Sequence, residues 1–181
     1  MFGRSMNLDT TQAPPIEPDD VPEGYDRAAF AAGCFWGVEE FFLAVPGVVD
    51  AVSGYEGGDV ERPTYEQVCS GRTGHAEAVL VTFDPTRVTF DQLLEEFWRH
   101  HDPTTMNRQG PDHGPQYRSA VFVRNDAQAA AAHASLDAFQ ARFKRPIVTE
   151  VTAASTFWPA EAYHQRYTER TGRGGCHVAN W

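Results

Sequence analysis

The sequence predicts an α+β fold: a ferredoxin-like two-layer sandwich with a βαββαβ core and a mixed sheet, carrying appended helices and a Gly-rich C-terminal tail. Apolar runs of strand length alternate with stripes of helical period. The first six such segments fall in the order strand, helix, strand, strand, helix, strand, which is the split β-α-β arrangement. Breakers such as Pro46-Gly47 and Asp84-Pro85 stand at the joins.

Residues 1–26 come before the first element. Positions 1–25 hold four prolines and five acids against one arginine. Such a stretch buries too little apolar surface to offset its ordering entropy, so it reads as a flexible extension. Ala28–Gly33 is a short apolar strand running into a helix from Phe35 to about Val45, which Pro46-Gly47 stops. Val48–Tyr55 reads as a strand, followed by a loop through Gly57, Gly58 and Pro63. Ala76–Phe83 alternates with period two. Thr89, with Gln92 three residues on, forms a capping box for a helix whose stripe is Leu93, Leu94, Phe97 and Trp98. A long loop, His101–Arg118, leads to the strand Ser119–Arg124. Asp126 then caps an Ala-rich helix ending near Lys144. Ile147–Ala153 reads as a strand and Ala160–Arg170 as a last short helix. The domain is expected to span 27–170, with 171–181 a mobile tail.

A chain of 181 residues fits one domain, and 41% hydrophobic residues suffice for a core. The net charge of −10 argues against a nucleic-acid partner and against anionic lipid. No signal peptide or membrane span is visible, so a cytoplasmic monomer is expected. There, Cys34, Cys69 and Cys176 would be reduced, and an odd count disfavours a disulfide framework. With no C-x-x-C pair, no metal and no cofactor are expected.

Two features point to chemistry. Cys34, in Gly33-Cys34-Phe35-Trp36-Gly37, sits where a strand turns into a helix. Unpaired amide N–H groups and the helix dipole there favour a thiolate, although a lone cysteine is more often an inert core residue. Alternation also places Glu77 on one face with Val79, Val81 and Phe83, where a carboxylate is costly and its pKa should rise toward that of a general acid. A strand-end glutamate looking into water is the plainer alternative. The loop from Asn107 to Ser119 is long and crowded with polar side chains, as functional loops are.

These pieces resemble the peptide methionine sulfoxide reductases of the A type. The matches include Gly33-Cys34-Phe35-Trp36-Gly37, Pro63-Thr64-Tyr65, Val68-Cys69-Ser70-Gly71 and Thr73-Gly74-His75-Ala76-Glu77. His101-Asp102-Pro103, Asn107-Arg108-Gln109-Gly110, Asp112-His113-Gly114 and Gln116-Tyr117-Arg118-Ser119 follow in order, and the resemblance covers about 27–170. It implies that Cys34 is the nucleophile and that Phe35 with Trp36 pockets the substrate S-methyl group. Glu77 would be the acid, aided by Tyr65 and Tyr117, with Asp112 on the polar side. Substrates would be free or protein-bound methionine (S)-sulfoxide, reduced through a Cys34 sulfenic acid. Cys176, preceded by Gly172, Gly174 and Gly175, would resolve that acid as a disulfide for thioredoxin to reduce. Cys69 is read as structural. Ala162 and Pro115 depart from residues frequent in the family, at positions without a chemical role there.

Two rivals fit less well. His164 and Asn180 lie 130 and 146 positions after Cys34, as in a papain-like hydrolase, but the local signature of that class is missing. A thioether-binding module would leave Glu77 and Cys176 without a task.

Overall fold

A computed structural model describes residues 8–173 and 177–181. Strands β1 (Asp26–Ala32), β2 (Val48–Glu56), β3 (Ala76–Phe83) and β6 (Ser119–Val123) form the centre of a six-stranded sheet. Its order is β7-β6-β1-β3-β2-β8, with β7 (Glu150–Ala153) and β8 (Trp158–Pro159) at the edges. All pairs are antiparallel except β6 with β7, so the sheet is mixed. Phe30 stands opposite Val79 on one side and Val121 on the other.

One face of the sheet carries α1 (Phe35–Leu43), α3 (Phe90–Arg99) and α4 (Asp126–Phe139) over a core of Phe30, Phe42, Val81, Phe83, Phe97 and Trp98. The α3 capping box forms as expected, with Thr89 Oγ1 accepting from Gln92 N. The opposite face is a floor of alanines, Ala29, Ala31, Ala76, Ala78 and Ala120, around Leu80, Phe122 and Phe157. No helix covers it. Ile16 of the N-terminal segment packs there, and other residues of that segment bond to the domain beside it. Ile16 pairs with Phe157, Gln12 donates to Pro63 O, and the carbonyls of Thr11 and Asp9 accept from Ala162 and Tyr163. Ile16 is the residue of this segment that packs, partly buried, on the floor of small side chains.

Tertiary hydrogen bonds redraw several element boundaries. The cap of α4 is Asn125, whose side chain accepts from Gln128 N, with Asp126 the first helical residue. That helix ends at Phe139. The expected helix at 160–170 breaks into a 3-10 turn, Ala162–His164, and α5 (Tyr167–Thr171). Between them, Gln165 exchanges hydrogen bonds with the Ser53 backbone, and Arg166, at φ 54°, gives its N–H to Glu39 Oε1 at 2.6 Å. Those bonds outweigh helical propensity. Three further short elements fall in predicted loops: α2 (Tyr65–Cys69) and the hairpin β4 (Arg108–Gln109) with β5 (Asp112–His113). Residues 177–181 contact the domain: His177 bonds to Ala32 O, Asn180 to the carbonyls of Trp98 and His101, and Trp181 stacks on Phe139.

Candidate active site

Cys34 is the N-cap of α1, half-buried, at the point where β1 ends. The turn needs Gly33: its φ is +92°, and a Cβ there would stand 2.6 Å from the Gln109 side chain. The first amide beyond the cap is occupied. Phe35 N–H donates to Glu77 Oε1 at 3.2 Å, which ties the acid on β3 to the residue following the thiol. Register explains the meeting, because Glu77 sits opposite Tyr55 at the start of β3, beside the place where α1 begins.

Glu77 is 1% exposed, and its Oε2 meets no hydrogen-bond partner among the described residues. Burial raises its carboxyl to about 8, the Phe35 amide opposes this, and the charge of Asp112 adds to it. Asp112 and Tyr117 come from the polar loop, Asp112 on β5 and Tyr117 in a 3-10 turn. Tyr65 opens α2, whose capping box is closed by Thr64 and Gln67. Burial pushes both phenols above their ordinary range, with Glu77 the next contributor to each. Glu77, Tyr65, Tyr117 and Asp112 therefore share one electrostatic neighbourhood around Cys34, which also acts on Tyr117.

Phe35 is fully buried among Tyr55, Tyr65 and His164, with centroids 5.7, 6.3 and 5.0 Å away. Trp36 is half-buried and stacked on Tyr167 at 3.8 Å. Cys176 lies outside the described residues. Cys69 is exposed on α2, where burial of its sulfur raises the thiol.

Sequence reasoning passed over Glu161, and it weighed His164 only as the histidine of the papain-like rival. Glu161 is 6% exposed and accepts the Tyr55 phenol at 2.9 Å and the Tyr65 amide at 3.0 Å, so it places Tyr65. His164 accepts the Trp36 indole N–H at 2.9 Å. Neither shows a periodicity signal, since both sit in a tight turn. Among the described residues no cluster of His, Cys, Asp or Glu is arranged for a metal ion, and no helix is long and apolar enough to cross a membrane.

The profile of the family "Peptide methionine sulfoxide reductase" matches residues 26–180. A peptide methionine sulfoxide reductase MsrA of Geobacter sulfurreducens is 58% identical over 153 residues, covering 83% of this chain and 94% of that protein. Mxr1 from Saccharomyces cerevisiae in reduced form superposes with a TM-score of 0.84 at 33% identity, over 88% of this chain and 94% of that one. Mxr1 in complex with Trx2 aligns at 0.62 and 23%, over 88% and 93%. A thiol at a helix start, a buried acid with a raised pKa beside it and a family match over nearly the whole domain agree, and the chain belongs to the peptide methionine sulfoxide reductase family as an A-type, peptide-methionine (S)-S-oxide reductase.

Proposed function

We propose that Cys34 is the nucleophile and Glu77 the general acid, and that Cys176 closes the catalytic cycle. The Cys34 thiolate attacks the sulfoxide sulfur of free or protein-bound methionine (S)-sulfoxide. Glu77 gives its proton to the sulfoxide oxygen, with the Tyr65 and Tyr117 phenols donating to the same oxygen and Asp112 holding the polar side. The oxygen passes to Cys34 as a sulfenic acid and methionine leaves as the thioether. Trp36, backed by Phe35, takes the S-methyl group. The Cys176 thiol then attacks the Cys34 sulfur, water leaves and a disulfide forms. A thioredoxin dithiol reduces that disulfide and becomes a disulfide itself.

The observation that carries this reading is the Glu77 carboxyl, buried, raised to about 8 and hydrogen-bonded to the amide next to Cys34. Support for a protein dithiol comes from the fold neighbour Mxr1, solved in complex with Trx2. We take the core order β6-β1-β3-β2 as the ferredoxin-like arrangement, 27–170 as the catalytic domain and 171–181 as the tail that carries the resolving thiol. The enzyme is taken to act as a cytoplasmic monomer.

Cysteine variants test the cycle. Cys176→Ser is expected to reduce one equivalent of sulfoxide in a burst and then stall with thioredoxin, while small thiols partly restore turnover. Cys34→Ser gives no burst, and Cys69→Ser cycles normally. A stall in Cys69→Ser with free turnover in Cys176→Ser would exchange their roles.

A further inference from the structure

We infer that His164 is a positioning residue for the methyl pocket, holding the Trp36 indole in one orientation through its Nδ1. The role rests on the reading of Trp36 as a pocket wall. Trp36 Nε1–H donates to His164 Nδ1 at 2.9 Å. An imidazole nitrogen that accepts carries no proton, so the hydrogen of the neutral ring is on Nε2. His164 is fully buried and wedged among site rings, with centroids 4.5 Å from Tyr65, 5.0 Å from Phe35 and 5.7 Å from Trp36. Its Nε2 finds no partner among the described residues. Keeping a buried donor unpaired is costly, and the return on that cost is a fixed acceptor for Trp36.

The turn carrying His164 is itself tied down. Gln165 is locked to the Ser53 backbone, Arg166 N–H to Glu39, and Glu39 Oε2 accepts the Ser53 hydroxyl at 2.9 Å. Three residues past His164, Tyr167 stacks on the same indole with planes 12° apart. Trp36 is thus gripped by a hydrogen bond and a ring stack from one short segment. Free rotation of the indole would change the shape offered to a methyl group, without touching the sulfur or the acid. Binding should suffer more than chemistry.

The test uses His164→Phe, His164→Asn and Trp36→Phe in the full chain, with methionine (S)-sulfoxide peptide and dithiothreitol. Asparagine places an acceptor oxygen near the position of Nδ1, whereas phenylalanine keeps the ring shape and removes the acceptor. His164→Phe is expected to raise KM roughly 3- to 10-fold, the range of one hydrogen bond, with kcat within about twofold. His164→Asn should recover most of that loss. In 15N-labelled protein the indole N–H resonance of Trp36, assigned by its disappearance in Trp36→Phe, should shift in His164→Phe and return in His164→Asn. Wild-type KM in His164→Phe, or equal impairment in both His164 variants, overturns the role. If Trp36→Phe leaves KM untouched, the pocket reading itself falls, while the indole resonance still reports separately on the His164 bond.

Discussion

Single side chains in this protein are tuned by what they cannot reach. Glu77 faces the same way as Val79, Val81 and Phe83 and shares their burial, so ionising it places charge among apolar atoms. With its carboxyl raised to about 8, roughly nine in ten copies hold the proton at pH 7. Glu77→Ala should lower kcat by about 10²–10⁴-fold with little change in KM, and Glu77→Gln should retain more because an amide still donates a hydrogen bond. Rapid-mixing single turnover of the reduced enzyme measures both, and a near-normal rate in the alanine variant assigns the acid elsewhere. The same experiment should show the rate falling above about pH 8, where Glu77 loses its proton. That limb should be absent in Glu77→Gln.

Elements bring these side chains together, and here close approach matters more than propensity. A Cβ on Gly37 would stand 2.2 Å from His177 Nδ1, so the first turn of α1 and the seated chain end fit only because position 37 is bare. Gly37→Ala should cost about 1–3 kcal/mol of stability, the range of an overpacked contact, read as a lower denaturation midpoint. An unchanged midpoint would mean that the ring moves aside freely. What could be read from the sequence divides along the same line. Period-two alternation placed Glu77 among apolar neighbours, and the Thr89–Gln92 spacing marked α3, since both signals are local. The split at 162–167 was hidden because it depends on Glu39 and Ser53, more than 100 positions away. Glu161 was invisible as a site residue for the same reason, and the partner of His164, Trp36, lies 128 positions away. The seat of Ile16 depends on an alanine floor assembled from three separate strands.

The molecule as a whole balances buried acids against buried bases. Glu77 and Glu56 are both raised to about 8 by burial. The native state therefore holds more protons than the unfolded chain between about 4.5 and 8, and stability falls as pH rises through that window. Burial lowers His101 to about 3 and His164 to about 4. Their contribution is full above about 6.5 and is lost as pH falls toward those values. Between 6.5 and 8 only the acids act, so the melting temperature should decline there. Glu77→Gln should flatten that decline, and a parallel slope in the variant would remove Glu77 from the balance. Deleting residues 1–25 takes Ile16 from beside Phe157 and removes the Pro18 carbonyl that accepts from Arg124. A loss of about 1–3 kcal/mol is expected from the apolar area alone, seen as a fall of several degrees in the melting temperature. The central strand has one more consequence. β3 is bonded on both edges and buried at every position, so its amides should exchange with deuterated solvent only when the entire domain opens. With Glu77 as the proposed acid, a strand closed on both edges would leave the substrate's path as the route for a fresh proton, so recharging of the acid should follow product departure.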